Sequence, residues 1–207
     1  MYKSCDKLVS EPEFWNEKYI SGKTPWDLGG ITPVFSHWIR NQVKKLHICV
    51  IGAGNGYDAV HFAEQGHNVT AIDFSETAIS AVAANAKTND VDISCFNYNF
   101  FDLPSKLDRS FDIVVEYTCF CAVDPEKREE LCSNIYRILK PSGRLITLLF
   151  PLSFDNVSDK PPFEVSLPSM MPLFSKYFEL EKAEIPESSI PPRYKNELFI
   201  KMKVKDL

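Results

Sequence analysis

The sequence holds little that would direct it to a membrane or to a nucleic acid. Its first residues, with Lys3, Asp6, Lys7, Glu11 and Glu13 among them, contain no apolar h-region, so no signal peptide is expected. No apolar run reaches transmembrane length. Positive charge is in deficit: 23 Lys and Arg stand against 28 Asp and Glu, a formal net charge of −5. Without a basic cluster, a polyanionic nucleic-acid partner is not expected and a small molecule is. The four histidines, His37, His47, His61 and His67, are scattered. Six cysteines without a secretory signal read as free thiols in a reducing, cytoplasmic compartment. Cys119 and Cys121 form a C-x-C pair, but neither a second pair nor a suitably spaced histidine completes a zinc site, so no metal is expected. No repeat, low-complexity tract or linker divides the chain. Its length supports one domain over residues 1–207, with an N-terminal helical cap over about 10–44 and a core over about 45–207. Nothing in the sequence indicates an oligomeric state.

What the chain does have is concentrated between Leu46 and Asp73, LHICVIGAGNGYDAVHFAEQGHNVTAID. Leu46 to Ile51 is apolar on both faces, as a buried parallel strand should be. Gly52, Gly54 and Gly56 permit a sharp turn and a close approach to a ligand. From Tyr57 the residues Val60, Phe62 and Ala63 follow a helical rhythm, with Gly66 as the C-terminal stop. Val69, Ala71 and Ile72 form the next strand, and Asp73 stands at its carboxyl end. This βαβ unit is the layout of a nucleoside-binding crevice. A dinucleotide fingerprint, G-x-G-x-x-G, would need glycine at Tyr57. The spacing here is G-x-G-x-G, the usual form in S-adenosylmethionine (SAM) enzymes. A nicotinamide cofactor and a glycine turn serving only packing remain as alternatives.

Around that unit, Glu11 to Ile20 reads as a helix with Phe14, Trp15 and Tyr19 at core-like spacing, and a polar loop, SGKTPWDLGG, carries Trp26. Ile31 to Val43 reads as a second helix. Ser75 is the expected N-cap of a helix whose apolar face is Ile79, Val82, Ala83 and Ala86. Strands are expected at Val91 to Phe96, Phe111 to Tyr117 and Arg144 to Phe150. A helix begins at Asp124-Pro125 and ends at Pro141-Ser142-Gly143. Beyond a proline-rich loop, Leu167 to Phe178 reads as a helix, followed by alternating strands at Tyr177 to Ile185 and Glu197 to Val204. Strands alternating with helices predict an α/β fold: a doubly wound, mostly parallel seven-stranded sheet with an antiparallel C-terminal hairpin at its edge.

With these pieces in order, the chain resembles the thiopurine S-methyltransferase superfamily, and within it the halide/thiol methyltransferase branch. The stretches that carry the resemblance are FWNEKYISGKTPWDLGG, the turn ending GYD, NFFDLP, FDIVVEYTCFCAVDPEKR, LKPSGRLITLLFP, PPFEVS and PPRYKNE. They run from about Phe14 to Glu197 and imply a class I SAM-dependent, Rossmann-like methyltransferase fold. The resemblance implies that Asp73 binds the ribose hydroxyls of SAM, where its local alternative is to cap the following helix. Gly52 and Gly54 should lie against the methionine part. Asn99, where relatives often have aspartate, and Phe100 should sit beside the adenine; core packing is the other reading of Phe100 and Phe101. Trp15, Tyr19 and Trp26 match aromatics that close over the sulfonium, as cation–π attraction would favour, with a core helix as the rival role for Trp15. Tyr117 matches a cofactor-contacting position near the transferring methyl. Glu116 is either the carboxylate that holds the SAM amino group or a structural residue. Phe163 should line the acceptor pocket. Arg193 and Glu197 should form a salt bridge or touch an anionic acceptor.

Methyl transfer from SAM is an in-line displacement that relies on alignment and needs no metal. A thiol near its ordinary pKa of ~8.5 is partly thiolate at neutral pH, and a halide needs no base at all. The expected activity is therefore methylation of a small soft nucleophile: a thiol, hydrosulfide, halide or thiopurine. The rivals are a small-molecule O- or N-methyltransferase, an NAD-dependent oxidoreductase and a non-catalytic SAM-binding protein.

Overall fold

The computed structural model describes residues 9–153 and 160–205. Lys3, Cys5, Asp6 and Lys7, and part of the proline-rich loop, lie outside them. Seven strands, β1 (His47–Ile51), β2 (Asn68–Asp73), β3 (Ile93–Asn97), β4 (Phe111–Tyr117), β5 (Leu139–Leu149), β6 (Phe178–Glu184) and β7 (Leu198–Val204), form one sheet in the order β3-β2-β1-β4-β5-β7-β6. The first five pair in parallel and β7 runs antiparallel to both its neighbours. The helices are α1 (Pro12–Ile20), α2 (Pro33–Ile39), α3 (Tyr57–Glu64), α4 (Glu76–Thr88), α5 (Arg128–Ile138) and α6 (Leu167–Phe174). Among the described residues no helix is long and apolar enough to cross a membrane.

Side chains alternate across the sheet and feed two cores. Cys49, Ile51, Val114 and Leu145 face α5 and α6, packing with Leu131, Ile135, Met170 and Phe174. Ile48, Val50, Ile113, Val115 and Ile146 face the other way, onto Phe35, Ile39, Ala59, Phe62 and Val82. Strands covered on both faces are mostly apolar, which is why residues 48–51 of β1 and 113–115 of β4 read as continuous runs. The strand order reverses at β1, between β2 and β4, so the crevice for a ligand opens above the carboxyl ends of these three strands.

Several elements depart from their expected bounds. The core-like spacing of Phe14, Trp15 and Tyr19 does not make a core helix: no residue of α1 is buried. The second helix is confined to Pro33–Ile39, because only Val34, Phe35 and Ile39 reach the core. Pro141-Ser142-Gly143 lies inside β5 instead of ending the helix. Phe111 pairs with Leu139, the register shifts, and Ile113 pairs with Arg144, so the strand starts early and carries an irregularity. The helix α6 stops at Phe174, its last core residue, where the chain turns, Tyr177 N–H bonding Phe174 O at 3.0 Å. The last two strands do pair antiparallel, with β7 inside the sheet and β6 at the edge opposite β3. The burial pattern explains the order: β7 buries Leu198, Phe199, Ile200, Met202 and Val204, whereas β6 buries only Phe178 and exposes Glu179, Glu181, Lys182 and Glu184, charges that protect an edge from further pairing.

Candidate active site

The glycine turn bridges β1 to α3 with positive φ at Gly52, Gly54 and Gly56. The three positions do different jobs. A Cβ on Gly56 would come within 3.0 Å of the Val82 backbone, so this glycine lets α4 pack against the turn. A Cβ on Gly54 would lie 3.2 Å from the Tyr19 hydroxyl, and one on Gly52 would lie 3.1 Å from Cys119 Cβ. Gly52 and Gly54 thus lie against the side chains that border the crevice.

Asp73, buried at the end of β2, ties the turn to α4: Oδ2 accepts from Gly54 N–H at 3.1 Å and Oδ1 from Ser75 N–H at 2.9 Å. Burial pushes its carboxyl above the usual carboxylate range, and these backbone N–H groups oppose the shift. A carboxylate has about four acceptor sites, so it can brace the turn and still receive a hydroxyl. Capping of the following helix falls to Ser75, whose Oγ accepts from Ala78 N–H at 3.2 Å.

Over the turn lie the three aromatics, brought together edge to face. Trp15 meets Trp26 with ring centroids 5.4 Å apart and Tyr19 meets Trp26 at 5.8 Å. Trp15 is half-buried in this cluster, not in a core. The cluster is held by polar residues that sequence reasoning passed over. Asn16 Oδ1 accepts from Ser75 Oγ at 2.7 Å, docking α1 on α4. Asp27 accepts from Asn55 Nδ2 at 2.5 Å, and Asp58 accepts from both Thr32 N–H and Thr32 Oγ1 at 2.8 Å. The sequence signals for the two aspartates are the polarity of the SGKTPWDLGG loop and the GYD that ends the glycine turn; Asn16 has none.

At the end of β4 the two acidic and aromatic positions separate. Glu116 is 1% exposed; Oε1 accepts from Cys119 N–H at 2.7 Å and Phe120 N–H at 2.8 Å, while Oε2 takes the Thr147 hydroxyl. With its oxygens so engaged, Glu116 fits the structural of its two roles: it shapes the turn that starts with Thr118 at φ +60°, a strained value for a β-branched residue. Tyr117 is half-buried, and its hydroxyl donates to Glu197 and accepts from Arg193. Arg193 also donates to Trp26 O at 2.8 Å and stacks over the Phe150 ring at 4.5 Å. Arg193 and Glu197 are thus joined through Tyr117, which stands between them and ties the C-terminal segment to the aromatic loop. Arg193 is 6% exposed.

Asn99 is exposed, and its Oδ1 accepts from Phe101 N–H at 3.0 Å. Phe100 and Phe101 are both partly buried against the core, so the two readings of these rings overlap. Phe163 is half-buried beside the turn after β4, its N–H donating to Cys121 O at 2.7 Å. The thiols nearby are held neutral. Burial, aided by Glu116 and Asp73, pushes Cys119 well up, and burial with Glu116 pushes Cys121 up to about 12. They therefore do not compete as thiolates for an electrophile bound in the crevice. Among the described residues no group of His, Cys, Asp and Glu could hold a metal ion.

The chain is similar in sequence and in fold to several methyltransferases. The probable thiol methyltransferase 2 of Arabidopsis thaliana is 36% identical over 166 residues, 78% of this chain and 72% of that protein. Thiocyanate methyltransferase 1 of Brassica oleracea is 32% identical over 158 residues, 74% of this chain and 67% of that one. The fold matches that of Burkholderia thailandensis 1,6-didemethyltoxoflavin-N1-methyltransferase, solved with S-adenosylhomocysteine, at a TM-score of 0.80 and 20% identity, covering 100% of this chain and 92% of that one. The family model for thiopurine S-methyltransferase matches residues 10–204, nearly the whole chain. On that match the chain belongs to the thiopurine S-methyltransferase family.

Proposed function

We propose that the crevice binds SAM and directs its methyl group to a small soft nucleophile, a thiol, hydrosulfide or halide. The observation that carries this reading is the aromatic cluster of Trp15, Tyr19 and Trp26 over the glycine turn. Three rings beside a buried carboxylate suit a ligand with a cationic sulfur at one end and a ribose at the other. The relatives named for thiol and thiocyanate methylation support the acceptor class. The residues fit the cofactor: Asp73 retains acceptor capacity for ribose hydroxyls, Gly52 and Gly54 let Cys119 and Tyr19 close on the turn beside the crevice, and Asn99 presents amide donors beside Phe100 for a base.

SAM supplies a methyl group on a sulfonium centre, which passes to a nucleophile approaching in line. The chain's part is alignment and exclusion of water. Tyr117, pinned between Arg193 and Glu197, fixes one wall at the end of β4. Phe163 forms the acceptor side. Burial, reinforced by Glu197, pushes the Tyr117 hydroxyl far above its ordinary range although Arg193 opposes it, so it acts as a neutral hydrogen-bonding group rather than a base. An acceptor that is already an anion, or a thiol partly ionised at neutral pH, is what such a site can use. The free thiols of the described residues support a reducing, cytoplasmic setting.

The test is the Phe163→Tyr variant assayed over hydrosulfide, iodide, thiocyanate and an aromatic thiol. Acceptor preference should change while SAM affinity stays within about twofold, since Phe163 lies on the acceptor side. A changed SAM affinity with unchanged acceptor ranking would remove Phe163 from the acceptor pocket.

A further inference from the structure

A buried arginine that the mechanism does not use stands behind the acceptor side. Arg128 opens α5 and is 4% exposed. Its Nε donates to Phe120 O at 3.1 Å and its Nη1 to Glu164 O at 2.8 Å. Its Nη2 is buried without a partner among the described residues. The guanidinium is therefore held by two carbonyls from different segments: the turn after β4 and the PPFEV stretch that carries Phe163. Glu116, which takes the N–H of the same Phe120 whose carbonyl Arg128 takes, lies close enough to favour its charge, although burial outweighs that support.

The PPFEV stretch needs such a partner. Pro161 and Pro162 have no N–H. The segment's own donors reach Cys121 O from Phe163 and Pro151 O, at 3.0 Å, from Val165. Arg128 supplies the donor that completes the attachment, from a planar fork that spans two carbonyls as a lysine does not. Keeping a charged group buried with one nitrogen unsatisfied is costly, and the return is a Phe163 fixed relative to the turn that borders the methyl donor.

We infer that Arg128 is a positioning residue for the acceptor: it locks the Phe163 segment to the turn after β4 and so sets the room available to bulky soft nucleophiles. This rests on the reading of Phe163 as an acceptor-pocket residue. Arg128 acts through Phe163 and thus bears on large acceptors, which reach the wall, more than on small ones, which do not.

The experiment uses the full chain as wild type, Arg128→Lys, Phe163→Ala and the double variant. Arg128→Lys keeps the charge that faces Glu116. It should raise KM for an aromatic thiol about tenfold, as expected for the loss of a hydrogen bond from a charged donor. KM for hydrosulfide and the SAM dissociation constant should stay within about twofold. In the Phe163→Ala background the effect on the aromatic thiol should vanish. Hydrogen exchange gives a readout independent of turnover: in the wild type the amides of Phe163 and Val165 should be protected to the same degree as Phe120. In Arg128→Lys they should exchange faster while Ile51 and Val115 are unchanged. An equal rise in KM for hydrosulfide would make Arg128 a direct contact of the anion through Nη2. Additive losses with Phe163→Ala, or wild-type amides at Phe163 and Val165 that exchange freely, would equally overturn the inference. If no acceptor turns over, the proposed activity fails while the exchange measurement still decides the attachment.

Discussion

Tyr117→Phe removes one oxygen and leaves two buried charged groups without their shared partner. In the wild type that hydroxyl donates to Glu197 and accepts from Arg193, both nearly inaccessible to solvent. Hydrogen bonds to charged groups contribute about 1.5–3 kcal/mol each. Arg193 and Glu197 can recover part of the loss by moving toward each other, so the net destabilisation should be about 2–4 kcal/mol. At about 2–4 °C per kcal/mol for a chain of this size, the melting temperature should fall by about 4–16 °C. Because Arg193 also holds the Trp26 carbonyl, SAM affinity should weaken in parallel. Circular dichroism melting and calorimetric titration with SAM read the two effects. The pH–rate profile is the third readout. With its ionisation driven far above the ordinary range by burial and Glu197, Tyr117 should contribute no limb between pH 6 and about 10. A variant as stable as the wild type, or one that loses an alkaline limb, would refute the structural role argued here.

Other expectations follow from single residues. Asp73→Ala should weaken SAM binding by about 10-fold or more, the worth of a charge-assisted hydrogen bond to ribose; unchanged affinity in calorimetry would leave Asp73 as a brace for the turn alone. Gly56→Ala should lower stability by about 1–3 kcal/mol in urea titration, because its Cβ would press on Val82 at positive φ. Two histidines should contribute a loss of stability from about pH 6.5 downward. His47 and His67 are held below the ordinary histidine range, by burial first and then by Lys140 and Lys45 respectively. Each therefore binds fewer protons folded than unfolded, and its contribution is whole above the unfolded pKa and lost below it. Below about pH 4.3 Glu181, held low by Arg144 and Lys201, adds a further loss. The buried carboxyls of Asp58, Asp73 and Glu116, pushed up by burial, act in the opposite sense. The histidine share is therefore read by comparing wild type with His47→Gln and His67→Gln, which should flatten the first decline.

Much of this architecture was legible because it is local. The β1–α3–β2 unit, the Ser75 cap and the acidic end of β2 depend on residues a few positions apart, and each lies where its spacing placed it. The aromatic cluster was reachable through resemblance, but not its support: Asn16, Asp27 and Asp58 bond partners from 26 to 61 residues away. The same remoteness hid Arg128, which looks like any charged residue in DPEKREE until the carbonyls of Phe120 and Glu164 arrive beside it. The sequence leaves two roles open for Glu116, since a strand-end carboxylate looks the same whether it faces a ligand or folds back on the next turn. The misplaced start of β5 has a similar cause. Pro141-Ser142-Gly143 breaks a helix by local rule, yet the pairing of Leu139 with Phe111 draws the segment into the sheet.

The most direct test is transfer of isotopically labelled methyl from SAM to hydrosulfide or an aromatic thiol by the purified chain, with Asp73→Ala alongside. Labelled methylthiol or thioether from the wild type, and much less from the variant at equal SAM, is the predicted result. Labelled product on oxygen or nitrogen acceptors only, or no transfer despite measured SAM binding, would contradict the assignment of soft-nucleophile methylation to this site.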